Sequence, residues 1–312
     1  MRIAIMGSGG VGGYAGAWLQ QAGQDVAFIA RGAHLEALRR DGLRIEHPDR
    51  PLHLPRVVAT DDPASVGPVD LVIFAVKLFD TDSAAQAMAP LVGPGTRVLT
   101  LQNGIDSVAM IRRHVDPAAV VLGGVIYVSA LIDAPGVIRS PGGLHAIVAD
   151  RAQGDAVMAR LEQATTGLDG LSVKLSDEAT RTIWEKFIAL ASLSGATSLL
   201  RARMGAILGH PETHAFQRQL VEEAIAVARA RGVAVGAGLA DEVMAKLATM
   251  PPSFRSSMAE DLERGNRLEL RWLSGRVHGL GIELGVPTPA HTAVYRGLVL
   301  HESGRAAATG KK

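Results

Sequence analysis

Short apolar runs alternate along the first half of the chain with segments in which apolar residues recur at helical spacing. Residues 2–6 form the first such run, and residues 70–77 form another that is apolar almost throughout. A strand covered on both faces has no polar side, so these runs predict buried strands of a parallel sheet. The same patterns predict strands at 25–30, 97–101 and 171–175 and helices at 33–40, 82–91 and 155–166.

The first predicted strand leads directly into a glycine-rich turn. The turn has the pattern G-x-G-x-x-G, formed by Gly7, Ser8, Gly9, Gly10, Val11 and Gly12. Between a strand and a helix this pattern is typical of dinucleotide binding. The first glycine permits a tight turn, the second lets a pyrophosphate approach, and the third lets helix and strand pack closely. The pattern therefore predicts a Rossmann-type domain, with a glycine-rich surface loop as the alternative.

The strand pattern becomes shorter and more broken in the next part of the chain. Residues 120–128, 136–140 and 144–148 are rich in apolar and β-branched side chains and are separated by Pro-Gly and Gly-Gly turns. These segments predict antiparallel strands that complete the sheet. The polar, proline-containing stretch 47–68 carries no predicted strand.

Helical patterns alone follow residue 177. Glycine and proline punctuate predicted helices at 178–200, 215–231, 240–247, 254–263, 268–280 and 288–302. The chain is therefore predicted to hold a Rossmann-type α/β domain, residues 1–177, followed by an all-α domain, residues 178–312. A substrate cleft is expected between the two domains.

Composition excludes several classes of protein. The formal net charge of +1 gives no electrostatic reason to expect nucleic acid or an anionic membrane as a partner. No apolar run approaches the roughly 18 residues needed to span a bilayer. The N-terminal run continues into the βαβ pattern and not into a signal peptide, so we expect a cytoplasmic protein. With no cysteine, and ten histidines that lack ligand spacing, we expect neither disulfides nor a metal.

Three side chains at the carboxyl ends of predicted strands are candidates for binding the cofactor. Arg31 follows the second strand, where an acid would bind the adenosine ribose of NAD and an arginine accommodates the 2′-phosphate of NADP. Arg31 therefore favours NADP(H), with a solvated strand-end arginine as the alternative. Lys77 and Asn103 end two further strands and could bind phosphate, ribose or substrate, or could be turn residues.

The predicted helices carry the candidates for chemistry. Lys186 could polarise and protonate a carbonyl oxygen that receives a hydride, because its ammonium group is both charged and acidic. Glu269 has apolar neighbours and could orient that ammonium or a substrate hydroxyl. Ser257 could bind a substrate carboxylate or cap a helix. The ordinary alternatives are a solvated lysine at 186 and a surface glutamate at 269.

The motifs together resemble the ketopantoate reductase (2-dehydropantoate 2-reductase) family over nearly the whole chain. The resemblance is carried by the glycine pattern with Arg31, Lys77, Leu101-Gln102-Asn103-Gly104, Trp184-x-Lys186, Ser256-Ser257-Met258, Glu269 and Gly285-Val286-Pro287-Thr288-Pro289. It implies reduction of a small 2-oxo acid, ketopantoate, to pantoate by NADPH, on the route to pantothenate. It also implies a homodimer formed through the helical domain.

The resemblance assigns roles to individual residues. Lys186 would be the general acid and Glu269 its partner, Ser257 would bind the substrate, and Asn103 would lie between cofactor and substrate. Several positions depart from the family pattern. Leu190 and Ser194 stand one and two turns after Lys186, where the family has asparagines, and Phe254 replaces another asparagine. Arg271 replaces an acid and could meet a carboxylate bidentately or face water.

The departures leave the substrate open. Ser194 stays a candidate substrate ligand, but each lost net hydrogen bond costs roughly 0.5–1.5 kcal/mol, so a bulkier or less polar 2-oxo acid is an alternative substrate. A dinucleotide-binding sensor without turnover is a second alternative, although it would not need Lys186 and Glu269. A NAD-dependent 2-hydroxy acid dehydrogenase is disfavoured by Arg31.

Overall fold

The computed structural model describes residues 1–305 and divides into two compact units, Met1–Thr180 and Arg181–Lys312. The predicted boundary at residue 177 lies just before the observed one, which falls in the first turn of the helix Ala179–Leu199. The first unit is α/β, and the described part of the second unit is helical, as the sequence predicts.

The first unit contains two sheets. Its strands, numbered along the chain, are β1 Arg2–Met6, β2 Asp25–Ile29, β3 Leu43–Glu46, β4 Leu52–Leu54, β5 Val58–Thr60, β6 Leu71–Phe74, β7 Arg97–Thr100, β8 Val120–Tyr127, β9 Leu131–Ala134, β10 Val137–Arg139, β11 Ala146–Asp150 and β12 Ser172–Ser176. The large sheet has the order β12-β11-β8-β7-β6-β1-β2-β5, in which only β8 and β11 are antiparallel neighbours.

The large sheet is covered on both faces, which explains its continuous apolar strands. In β1, Ile3 and Ile5 belong to one buried cluster, whereas Ala4 and Met6 belong to the cluster on the other side. The helices of this unit are α1 Gly10–Gln21, α2 Gly32–Asp41, α3 Thr81–Ala87, α4 Ser107–Arg112 and α5 Ala156–Ala164, with 3-10 turns at Pro63–Ser65, Leu78–Asp80 and Ala89–Leu91.

The small sheet, with the order β4-β3-β10-β9, is not predicted by the sequence. Part of the stretch 47–68, expected to lack strands, forms β4 and β5. The segment 136–140, expected to complete the large sheet, contributes β10, which pairs parallel with β3. The small sheet packs against α1: a Cβ on Gly13 would lie 2.4 Å from Ile138 Cδ1. The predicted strand 144–148 does join the large sheet, as β11.

The second unit is built from helices. They are α6 Ala179–Leu199, α7 Met204–Gly209, α8 Pro211–Ala230, α9 Leu239–Ala248, α10 Ser257–Arg264, α11 Ser274–Leu284 and α12 Pro289–Leu298, with 3-10 turns at Leu270–Trp272 and Val299–His301. The predicted helix 268–280 is wrong in its first part, because the chain makes a 3-10 turn before α11 begins. The helix α7 was not predicted.

A buried carboxylate holds the start of α12. The two oxygens of Glu223 on α8 accept the N–H groups of Ala290 and His291, at 2.8 and 2.9 Å. This placement suits a negative group at a helix N-terminus. The buried His291 ring donates from Nε2 to the carbonyl of Leu220, 2.9 Å away, while its Nδ1 has no partner among the described residues. Burial lowers the pKa of His291 to about 4.

We expect His291 to make the protein sensitive to mild acid. Its pKa of about 4 in the folded state lies below the ordinary 6.5, so the unfolded chain binds the proton more tightly. The stability present above pH 6.5 is therefore lost as the pH falls towards 4, by about 2 kcal/mol at pH 5. Urea unfolding of the wild type and of His291→Gln at pH 7.5 and pH 5 measures this contribution of His291 to the free energy of unfolding. The stability difference between the two proteins should shrink by about that amount at pH 5, and a constant difference would contradict the assignment.

Candidate active site

The three glycines of the pattern after β1 have different surroundings. Gly7 has φ +95°, and a Cβ there would lie 2.6 Å from Val76 Cγ1. A Cβ on Gly12 would lie 2.2 Å from the Gly7 carbonyl oxygen, so α1 can pack this closely only without a side chain. A Cβ on Gly9 would meet no atom within 4 Å. The turn is therefore tight at Gly7, closely packed at Gly12 and open at Gly9.

The open position lies at the N-terminus of α1, which has no acidic residue in its first turn. Helix geometry leaves the first-turn N–H groups of Gly10, Val11 and Gly12 without acceptors inside the helix. Such an N-terminus attracts phosphate groups. Ser8 differs from these residues, because its N–H donates to the Ile29 carbonyl at 3.0 Å and its buried hydroxyl donates to the Ile5 carbonyl at 3.3 Å. Ser8 therefore holds the turn in place through its own polar groups.

Arg31 lies at the carboxyl end of β2, as predicted. Its side chain is 79% exposed, and Nη2 lies 3.2 Å from Oδ2 of Asp80, which belongs to the 3-10 turn after β6. Lys77, also exposed, immediately precedes that turn. Because β2, β1 and β6 are neighbours in the sheet, Arg31 and Lys77 lie at the same sheet edge as the glycine turn. This edge carries the cations needed to hold a phosphate-rich ligand.

Gln102 is a site-forming residue that the sequence interpretation missed. Its buried Nε2 donates to the Val76 carbonyl at 3.0 Å and to the Thr81 hydroxyl at 2.8 Å. These two bonds tie the end of β7 to the turn that contains Lys77. Asn103, next to Gln102, is half-buried beyond the end of β7. Gln102 belongs to the motif Leu101-Gln102-Asn103-Gly104. An amide side chain directly after a buried strand is the sequence signal that indicates such a residue.

Lys186 and Glu269, both in the second unit, are near enough for the charge of one to act on the other. Lys186 lies on α6 beside Trp184 and Phe187, whose buried rings pack edge to face with centroids 5.6 Å apart. The residue is half-buried, but its surroundings desolvate the ammonium group. This burial lowers the pKa of Lys186 to about 8, while the charge of Glu269 raises it and that of Lys246 on α9 lowers it. The charge of Glu269 therefore acts on Lys186, while the roles of acid and partner stay predictions.

Glu269 does not lie on an α-helix, so the helix predicted at this position is wrong. It precedes the 3-10 turn Leu270–Trp272, and the residue is only 7% exposed. The surface-glutamate alternative is therefore wrong. The buried leucines on either side, Leu268 and Leu270, anchor this segment.

The two serines at the start of α10 have different environments. Ser256 is the N-cap: its hydroxyl oxygen accepts the Ala259 N–H at 3.1 Å and is hydrogen-bonded to the Thr197 hydroxyl on α6, 2.8 Å away. Ser257 is exposed and is the first helical residue. The capping alternative considered for Ser257 is therefore wrong, because Ser256 fills that role. The Ser256–Thr197 bond also fixes the position of Ser257 relative to α6.

The positions that depart from the family pattern are mainly apolar or already paired. Leu190 and Phe254 are half-buried. Ser194 is buried, and its hydroxyl oxygen has no hydrogen-bond partner among residues 1–305. Arg271 meets a carboxylate of the protein itself, since two of its nitrogens lie 3.2 and 3.4 Å from the two carboxylate oxygens of Glu302. The Arg271 side chain is also 65% exposed, so it faces water, as one of its two alternatives states, while it pairs with Glu302 of the protein itself.

The part of the chain that the structure describes gives two negative findings. No group of three or more histidine, aspartate or glutamate side chains in residues 1–305 is arranged to hold a metal ion. Over the same residues, none of the helices has the length and apolar character needed to cross a bilayer.

Comparison with known proteins points to one family along most of the chain. Residues 3–153 match the family described as "Ketopantoate reductase PanE/ApbA", and residues 178–302 match "Ketopantoate reductase PanE/ApbA C terminal". The 2-dehydropantoate 2-reductase of Halobacterium salinarum is 34% identical over 89% of this chain and 91% of its own.

Solved structures also match this chain over nearly its whole length. The PanE/ApbA family ketopantoate reductase of Ralstonia eutropha JMP134 superposes with a TM-score of 0.89, at 33% identity over 97% of this chain and 98% of that one. A D-mandelate dehydrogenase in complex with NADH and anilino(oxo)acetate shares the fold, with a TM-score of 0.85 at 23% identity over 97% of this chain and 98% of that one.

We expect two single substitutions to move the pKa of Lys186 in opposite directions. Glu269→Gln removes the charge that raises the value and should bring it below about 8, whereas Lys246→Gln removes the charge that lowers it and should bring it above. The pH dependence of Lys186 acylation, followed by mass spectrometry, measures both values without any substrate. Equal values in the two variants would show that neither charge acts on the ammonium group.

Proposed function

The chain belongs to the ketopantoate reductase family, and on that basis we propose that it reduces a 2-oxo acid to the 2-hydroxy acid with NADPH. It is an oxidoreductase acting on CH–OH groups, and its curated relatives include several 2-dehydropantoate 2-reductases. The leading substrate is 2-dehydropantoate (ketopantoate), which would place the reaction in pantothenate biosynthesis. The observation that carries the proposal is the desolvated ammonium of Lys186 with Glu269 beside it.

Residues of the first unit would hold the dinucleotide. The first-turn N–H groups of α1 and the open space at Gly9 suit a pyrophosphate, while Arg31 suits a 2′-phosphate. Lys77 and Asn103, at the same sheet edge, are the further proposed ligands. When bound, the reduced nicotinamide supplies the hydride. D-mandelate dehydrogenase binds NADH, so the choice of NADPH is argued from Arg31 and not from the fold.

Residues of the second unit would bind the substrate and supply the proton. Lys186 would hold a proton on Nζ that passes to the carbonyl oxygen, and its positive charge would stabilise the negative charge that develops there. Glu269 would keep the ammonium protonated and oriented. The exposed hydroxyl of Ser257 would donate to the substrate carboxylate. Ser194 stays a proposed ligand, and the homodimer implied by the family resemblance also stays a prediction.

Leu190 and Phe254 support a related substrate as a second candidate. Both side chains are half-buried where the family pattern has asparagine, so the pocket offers fewer amide donors and more apolar surface. A 2-oxo acid with an apolar substituent would gain from this surface, whereas ketopantoate would lose hydrogen bonds. The proton-transfer chemistry is the same for either substrate.

We expect the purified protein to oxidise NADPH in the presence of a 2-oxo acid, followed at 340 nm with ketopantoate and a panel of 2-oxo acids. Ketopantoate as the best substrate would support the pantothenate role, whereas preference for an apolar acid would keep the mechanism and change the pathway. No turnover of any acid, with NADPH still bound, would contradict the proposal and favour a sensor.

We expect Lys186→Ala to lower kcat about 10²–10⁴-fold while the dinucleotide still binds, because the proton donor is lost. The exposed Lys174 on β12 supplies the matched control, Lys174→Ala, which should keep wild-type turnover. In the wild type, kcat/KM for reduction should fall above pH 8, where Lys186 with its pKa of about 8 loses the proton it must donate. Unchanged turnover in Lys186→Ala would exclude this residue as the acid.

A further inference from the structure

The ion pair between Arg31 and Asp80 lies at the mouth of the glycine turn. Arg31 follows β2 and Asp80 follows β6, and these strands flank β1 on its two sides. The 3.2 Å contact between the two side chains therefore passes across the end of the strand that leads into the turn. A dinucleotide that lies along this edge meets both charges.

Asp80 is held in place by the chain around it. Its N–H donates to the Lys77 carbonyl at 2.9 Å, and Gln102 ties the same turn to β7 through Val76 and Thr81. Its carboxylate makes no capping bond to α3, and the side chain is 33% exposed. The carboxylate is therefore not used by the helix cap, and the backbone that carries it is held by bonds other than the one to Arg31.

The two side chains favour different dinucleotides. An arginine at the end of β2 accommodates the 2′-phosphate of NADP, whereas an acidic side chain accepts a hydrogen bond from the ribose hydroxyl of NAD. A 2′-phosphate that binds Arg31 competes with Asp80 for the guanidinium, or binds its other N–H groups, and in either case lies close to a like charge. An unphosphorylated ribose leaves the pair intact and can donate to the carboxylate.

We propose that Asp80 is a specificity-determining residue that opposes the 2′-phosphate and lets the protein use NADH as well as NADPH. The inference rests on the proposed function, because it assumes that the adenosine ribose lies beside Arg31. Arg31 attracts the phosphate and Asp80 weakens that attraction. The pair therefore reduces the difference in affinity between NADPH and NADH. Both groups are solvated, so the effect of each charge is moderate.

The test measures the Kd of NADPH and of NADH for the full-length protein by nicotinamide fluorescence. We expect Asp80→Asn to tighten NADPH by about three- to tenfold and to leave NADH unchanged or weaker, because one like charge is removed near the phosphate. The matched control is Asp82→Asn. Asp82 is an exposed aspartate two positions later that pairs with Arg113 and His114, so its loss should leave the ratio of the two Kd values unchanged.

The variant Arg31→Ala tests the proposed binding of NADPH independently of the role proposed for Asp80. We expect Arg31→Ala to weaken NADPH far more than NADH. If it does so while Asp80→Asn leaves the ratio unchanged, or changes it no more than Asp82→Asn does, the role of Asp80 is overturned and NADPH stands. If Arg31→Ala weakens both cofactors equally, or the wild type binds neither, the proposed cofactor mode and the role of Asp80 fall together.

Discussion

The missing side chain at Gly12 is the constraint on which the first unit depends. A Cβ there would lie 2.2 Å from the Gly7 carbonyl oxygen and 3.0 Å from Ile5, so any other residue would push α1 away from β1. The close approach brings the N-terminus of α1 to the end of the strand. It also leaves the outer side of α1 to the small sheet, where Gly13 makes room for Ile138. One helix thus links the large sheet, the small sheet and the glycine turn.

The candidate acid in the second unit depends on a balance between burial and charge. Burial alone would favour a neutral lysine, and the carboxylate of Glu269 opposes it, which leaves the pKa of Lys186 at about 8. An amine with this value is still mainly protonated at neutral pH, yet gives up its proton more readily than a solvated lysine. The exposed Lys246 contributes to the same balance from α9. The acidity of Lys186 is therefore a property of several elements.

At several places one residue stabilises the structure while a residue close to it is a candidate for ligand binding. Ser256 caps α10 and contacts Thr197, which leaves the exposed hydroxyl of Ser257 uncommitted to the cap. Gln102 connects the end of β7 to the segment after β6 that contains Lys77 and Asp80. Arg31 and Arg271, both candidates for binding anions, are paired with protein carboxylates. An anionic ligand at either arginine must compete with a carboxylate that is already present.

Features that depend on local sequence could be predicted. Strands buried on both faces are continuous apolar runs, and the glycine pattern follows from sterics within a few residues, so the α/β class and the tight turn after β1 could be predicted. The roles assigned to that turn and to Lys186 stay predictions. The small sheet was not predicted, because β4 and β10 are three residues long and β10 pairs with a strand distant in the chain. The burial of Glu269 and the pairing of Arg31 with Asp80 were decided only by the tertiary structure. Each depends on contacts between segments far apart in the chain, which local periodicity and propensity do not encode.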